Sequence, residues 1–234
     1  MKWLWKRKRP NRKRRGLPPF VRWLLLLGLG FYVYCAITLA GLRWFIPIAT
    51  GVQIQRRVES FFQEGEYRPV QIFVPLENIP VHVQRAVIAA EDGRFYEHRG
   101  IDWLELAKVF EEVESRGRLR GGSTISQQLV KNLFLTTHRS PIRKGLELTL
   151  VPIAELVLSK DRILELYLNL IEWGPGIWGV EAAARHHFRT SVNRLDREQS
   201  ARLAACIPDP LRRRPSQMDA YSGIILQRMR SRGW

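Results

Sequence analysis

The stretch Trp23–Leu42, WLLLLGLGFYVYCAITLAGL, holds 20 residues and no charged side chain. As a helix it is long enough to cross the ~30 Å hydrocarbon core of a bilayer, so it reads as a transmembrane anchor. Arg22 and Arg43 bracket it, and Trp23, Tyr32 and Trp44 are aromatics placed to sit near the interfaces. Residues 1–22 carry ten Lys and Arg and no acid. That asymmetry predicts a cytoplasmic N-terminus and an outer location for residues 43–234. A cleaved signal peptide is the alternative. The apolar run is long for one, and Thr38-Leu39-Ala40 makes a poor cleavage site. No later segment is apolar for long enough to span again.

The formal charge is +16, and without the ten cations of the tail the remainder stands at about +6. Strong basicity usually points to nucleic acid. Here the cations abut the apolar span, so the tail is expected near anionic lipid, and no nucleic-acid partner is expected. At 234 residues the chain has room for one domain with a sizeable core. Its two cysteines, Cys35 in the span and Cys206 far along the chain, are not expected to pair. Cys206 reads as a small buried hydrophobe.

The chain therefore divides into a tail (1–22), the anchor (23–42), a connector (43–69) with an extended piece from Val70 to Val74 after it, and a domain over 70–234. Pro80 opens a helix whose Val83, Ala86, Val87 and Ala90 share one apolar face and whose end carries Glu91. Ile101–Val113 repeats the helical spacing. Ser115–Gly122, SRGRLRGG, reads as a mobile basic loop. Ser123 or Thr124 can cap the next helix, with Gln127 three residues after Thr124. Further helices are expected from Pro141, bent at Pro152, then over Lys160–Asn169, at EAAARHHF, and over Asp196–Cys206. Strand-like alternation is scarce, so the domain is expected to be mostly α.

Two carboxylates stand out. Glu91 lies at a helix end that flows into Gly93, beside Asp92 and Arg94. A base needs such a fixed backbone, partial burial and nearby cations. Glu147 follows Arg143 by four residues and Lys144 by three, so all three share one helical face. From spacing alone both sets read more readily as capping and solvated ion pairs. Gly121–Asn132, GGSTISQQLVKN, offers a helix N-terminus to an anion, with Gln127, Gln128, Lys131 and Asn132 as donors on the next turns. A capped helix with a polar outer face is the plain alternative. It is not a P-loop, because no Gly-Lys-Ser or Gly-Lys-Thr occurs.

Taken in order, AEDGRFYEHRGID, GGSTISQQLVKN, RKGLE, SKDRILELYLN and GPGIWGVEAAARHHF resemble the peptidoglycan glycosyltransferases of glycosyltransferase family 51, specifically the monofunctional membrane-anchored members. The likeness covers roughly residues 70–215. No Ser-x-x-Lys is present, so the transpeptidase centre of the bifunctional relatives is missing from this sequence. The resemblance implies a helical, lysozyme-like catalytic domain with a smaller membrane-proximal lobe. It implies polymerisation of lipid II into β-1,4-linked glycan by inverting transfer, with release of polyprenyl pyrophosphate. Glu91 matches the base and Glu147 the second glutamate. Lys131, Arg143 and Lys144 match the pyrophosphate-handling cations. Gln128, Asn132, Ser123, Thr124 and Asn169 match substrate-binding motif positions.

A divalent ion, Mg²⁺ or Mn²⁺, on Glu147 is a further expectation, since such ions bridge carboxylates and phosphates. Implied partners are lipid II, the growing glycan chain, the membrane, and other cell-wall synthesis and division proteins. The implied location is the bacterial cytoplasmic membrane, with a single pass and the catalytic domain on its periplasmic face. Trp44, Phe45, Ile46, Trp103, Leu104 and Phe110 are candidates for bilayer contact, the last three equally for core. Arg116, Arg118 and Arg120 could close over a pyrophosphate or simply be solvated. The sequence departs from the usual family pattern at His187, Asp209 and Leu148. His186 and His187 are expected to point apart and to hold no metal. A lytic hydrolase and a non-catalytic membrane scaffold are the rival readings. The cationic motifs oppose the first, and intact Glu91 and Glu147 oppose the second.

Overall fold

A computed structural model describes residues 18–62, 66–116 and 122–234. The basic tail up to residue 17 lies outside the described residues, and so do Gly121 and the loop positions Arg118 and Arg120. Nothing is described of the Phe110 and Arg116 side chains either. The chain divides into two compact units, residues 1–34 and residues 35–234. Helix α1, Pro19–Gly41, has 23 residues and is long and apolar enough to cross a membrane. Trp23, Leu24, Leu25 and Leu27 along it are all exposed, as side chains solvated by lipid would be.

The second unit is predominantly helical. After α2 (Gly51–Ser60) come α3 (Val81–Glu91), α4 (Trp103–Arg116), α5 (Ile125–Phe134), α6 (Pro141–Val157) and α7 (Lys160–Leu170). Then follow α8 (Val180–Phe188), α9 (Arg197–Ala204) and α10 (Asp219–Ser231). Three short strands, β1 (Val70–Gln71), β2 (Glu172–Gly174) and β3 (Ile177–Trp178), form a sheet in the order β1-β3-β2. β1 runs parallel to β3, with Val70 opposite Ile177, and β2 runs antiparallel to it.

Two helical groups make the core. α3 packs on α9 and α10, while α5 packs on α2, α6 and α7. Val83, Ala86 and Val87 are buried as the apolar spacing predicts, but Ala90 lines a cleft instead. Ile163, Leu164, Tyr167 and Leu168 of α7 are fully buried, and so are Trp173 and Trp178 of the sheet. α6 continues through Pro152 as one helix. Leu148 is exposed there, so its bulk costs nothing in packing.

Two elements differ from the sequence expectation. The stretch read as a connector contains α2, which Thr50 caps by a complete capping box with Gln53. Arg56 of α2 pairs with Glu172 at 2.9 Å, tying this helix to β2. α10 is not expected from the sequence; its buried residues are Ser222, Ile225 and Met229. Both cysteines are free; Cys206 is buried as expected, and Cys35 is buried too.

Asn169, taken as a substrate-binding position, is fully buried. Its Oδ1 accepts from Val74 N, and its Nδ2 donates to the carbonyls of Val74 and Glu165. It thus fastens the chain before α3 to α7. Its carbonyl neighbour explains Gly179, which has φ 83° and lies where a Cβ would stand 2.9 Å from Asn169 O. Gly179→Ala is expected to cost about 2 kcal/mol or more through left-handed strain and collision. Gly145→Ala, on α6 with nothing within 4 Å of the new Cβ, should instead stabilise by about 1 kcal/mol. Thermal unfolding of the two variants beside the parent checks the opposite signs.

Candidate active site

α3 ends at Asp92, and that ending builds the site. The Asp92 carboxylate is buried, and its Oδ2 accepts from Ile125 N at 3.0 Å, the first residue of α5. A free N–H at a helix start is satisfied in this way, and the carboxylate's charge meets the positive end of the helix dipole. His98 Nε2 lies 2.9 Å from Asp92 Oδ1, while His98 Nδ1 accepts from Gly100 N. That second bond puts the ring proton on Nε2, facing Asp92. Asp102 completes the joint by capping α4 through Leu104 N and Glu105 N.

Asp92, His98 and Asp102 bring potential metal-ligand atoms within 4.8 Å of one another. Both Asp92 oxygens and both His98 nitrogens already carry hydrogen bonds within the protein, and Asp102 Oδ1 is spent on its helix cap. Their arrangement is accounted for as a structural joint.

The joint sets Glu91 against α5. Glu91 Oε2 accepts from Gln128 Nε2 at 2.7 Å, and Gln128 Oε1 accepts from Tyr167 OH at 2.9 Å. The three residues come from α3, α5 and α7. Tyr167 carried no functional signal in the sequence beyond its place in the YLN run. Burial raises the Glu91 carboxyl above the ordinary value; the Gln128 bond and the positive fields of Lys131 and Arg213 oppose that rise without cancelling it.

Glu91 lies in a cleft of about 1360 Å³, and Ser123, Gln128, Lys131, Asn132, Arg143, Lys144 and Glu147 line it too. Glu147 is buried on α6. Arg143 Nη1 donates to its Oε2 at 2.8 Å, and Lys144 Nζ pairs with its Oε1. Lys144 also donates to Ser123 Oγ at 3.0 Å. The shared helical face expected from their spacing is present. Arg143 Nε is buried with no acceptor among the described residues. Lys131 has no carboxylate within 4.0 Å among them. Burial lowers its ammonium below the ordinary value, with Glu147 opposing and Arg143 reinforcing the shift.

Thr124, expected among the substrate-binding residues, turns away from the cleft. Its Oγ1 accepts from Gln127 N and donates to Gly100 O, and the side chain is buried. Its role is the capping box, completed by Gln127 Oε1 accepting from Thr124 N at 3.2 Å. The histidines also differ from expectation. The rings of His186 and His187 meet edge to face at 4.7 Å rather than pointing apart, because adjacent side chains can lean together across one peptide unit. Burial pushes His187 down to about 4, with the neighbouring His186 adding to the shift.

Missed by sequence reasoning were Arg56 and Glu172, and also Arg213, Tyr221, Arg228 and Arg232, all of which line the cleft. None belongs to a motif read from the sequence. Only the fold brings α2, β2 and α10 to the cleft.

Because the folded Glu91 carboxyl holds its proton to a higher pH than the unfolded one, its contribution to stability is full below about pH 4.3. That contribution is lost as pH rises through the folded value. Glu91→Gln removes this loss. The variant is expected to melt at or above the parent's Tm at pH 7.5, with the gap closing in acid. Melting curves across pH check this, and a lower Tm at neutral pH would contradict it.

The chain matches the Transglycosylase family over residues 57–230. It is similar to the biosynthetic peptidoglycan transglycosylase of Dechloromonas aromatica (strain RCB), 44% identical over 220 residues, covering 89% of this chain and 95% of the relative. The protein of that name from Ectopseudomonas mendocina (strain ymp) is 42% identical over 210 residues, covering 88% and 83%. That from Bordetella avium (strain 197N) is 48% identical over 167 residues, covering 68% and 70%.

Proposed function

This chain belongs to the transglycosylase family and is a peptidoglycan glycosyltransferase, and we propose that its reaction is polymerisation of lipid II into β-1,4-linked glycan with inversion and release of polyprenyl pyrophosphate. The observation that carries this reading is the pairing of a desolvated Glu91 with the cations Lys131, Arg143 and Lys144 in one cleft.

The donor sugar is α-linked to a lipid pyrophosphate. The acceptor 4-hydroxyl attacks the anomeric carbon from the opposite face, and the bond to the pyrophosphate oxygen breaks. The hydroxyl has a pKa far above 7, so a base must take its proton as it attacks. Glu91 fills that role, and burial makes its carboxylate a stronger base than a solvated one. Gln128, itself held by Tyr167, fixes the orientation of Glu91. Negative charge gathers on the leaving pyrophosphate, where Lys131, Arg143 and Lys144 stabilise it.

Glu147 then acts on the cations. One oxygen aims Arg143 and the other aims Lys144, so its negative charge is neutralised before substrate arrives. With both oxygens taken by cations, the donor set does not fit a divalent ion, and no step is routed through one.

The anchor places the reaction. Both substrates carry polyprenyl tails, so confinement to the same membrane raises their effective concentration. The proposed topology puts the tail in the cytoplasm and the catalytic domain, residues 70–234, on the periplasmic face of the cytoplasmic membrane. Trp44, Phe45, Ile46, Trp103 and Leu104 are exposed apolar side chains available to the bilayer.

Full-length protein in detergent, incubated with fluorescent lipid II and read on a gel, tests the reading. Wild type is expected to make glycan chains, and Glu91→Gln to lose about 10²–10⁴ in rate while remaining folded. Lys131→Ala should lose roughly 10². Folded wild type that makes no chains would reject lipid II polymerisation, and full activity of Glu91→Gln would remove the base. The kcat/KM of wild type should rise with pH through a value above that of an ordinary glutamate.

A further inference from the structure

The cations at Glu147 are one set lining the cleft. A second set that lines it is carried by α10 and the segment before it. Arg228 Nη1 donates to Ala89 O at 3.1 Å. Arg232 reaches Gly93 so closely that a Cβ there would lie 2.6 Å from its Nη2. Arg213 donates to Ala205 O at 2.8 Å, stacks 5.5 Å from the Tyr221 ring, and acts electrostatically on Glu91. These guanidiniums therefore address the end of α3 and the turn after it, at Ala89, Glu91 and Gly93, on either side of the base in sequence.

Among the described residues none of the three has a carboxylate within 4.0 Å, unlike Arg56, Arg94, Arg143, Arg162 and Arg202. Their partners within the protein are neutral carbonyls and aromatic rings. All three line the cleft. Positive charge of this kind, lining a cleft with no carboxylate in contact, suits an anionic ligand. The leaving pyrophosphate is already provided for by Lys131, Arg143 and Lys144 on α5 and α6, which leaves the acceptor's own pyrophosphate and the stem carboxylates as anions for this second set. A guanidinium fork matches a carboxylate in two parallel hydrogen bonds. The cleft, at about 1360 Å³, also exceeds what a small ligand fills.

We propose that Arg213, Arg228 and Arg232 form a carboxylate-binding wall that receives the peptide stem of lipid II while its sugar is presented to Glu91. The proposal rests on the lipid II reading above. The stem's free carboxylates are the substrate anions farthest in chemistry from the pyrophosphate. Binding them beside the base would orient the acceptor hydroxyl by contacts remote from the reacting carbon.

Two lipid II preparations test this, alike in lipid, pyrophosphate and sugars. In one the stem carboxylates are free, and in the other they are converted to amides. Wild type is expected to use the free acid about tenfold better in kcat/KM, mainly through KM. In Arg228→Gln/Arg232→Gln that ratio should collapse to about one. Equal use of both substrates by wild type overturns the proposal without any variant, and so does a double variant that keeps the wild-type ratio. A wall that binds phosphate instead would make the double variant lose equally on both substrates, again overturning it. Wild type that polymerises neither substrate would reject the lipid II reading itself and this wall with it, whereas polymerisation of both at one rate rejects the wall alone.

Discussion

The site depends on the Asp92 carboxylate. One of its oxygens holds the first N–H of α5, and the other holds His98. An acid buried in this way is tolerated because each oxygen is hydrogen-bonded and the helix start supplies partial positive charge. Through this link the last turn of α3 and the first turn of α5 become one rigid corner. Glu91 precedes Asp92 by one residue and Gln128 follows Ile125 by three, so the corner sets their meeting at 2.7 Å. Loss of the Asp92 bond would free both ends at once.

Around that corner the protein separates two electrostatic tasks. Glu91 sits where burial raises its pKa, which suits proton abstraction but costs stability once it ionises. Glu147 is buried but has a cation on each oxygen, so its charge is compensated. The same residue type thus serves opposite ends because of what lies within hydrogen-bonding reach. Lys131 stands between them, partly desolvated and influenced by both carboxylates. Such a cation is ready to gain from a ligand's negative charge what water no longer supplies.

The helices that position these groups are held by small polar devices as well as by the apolar core. Capping boxes begin α2, α5 and α9. Asn169 replaces backbone partners for the segment before α3, and Arg56 clamps α2 to Glu172. Thr124 and Asn169 belong to this group. They lie in motifs because the fold of the site requires them, and a motif position can serve geometry as readily as ligand contact.

Much was legible in the sequence because it rests on local rules. The uncharged 20-residue span needs no partner to be recognised, since lipid alone satisfies it. Helices α3, α5, α6 and α7 follow from apolar spacing and caps, and the grouping of Arg143, Lys144 and Glu147 follows from helical periodicity. The sequence could not say which polar residues turn inward. Thr124 and Asn169 read as ligand contacts but became buried scaffolding, while Tyr167, Arg213, Arg228 and Arg232 read as nothing and reached the site. Their placement depends on α7 and α10 packing against helices far away in the chain. Local pattern determines an element and its faces; only tertiary packing decides which faces meet around a cleft, because those contacts have no sequence spacing to reveal them.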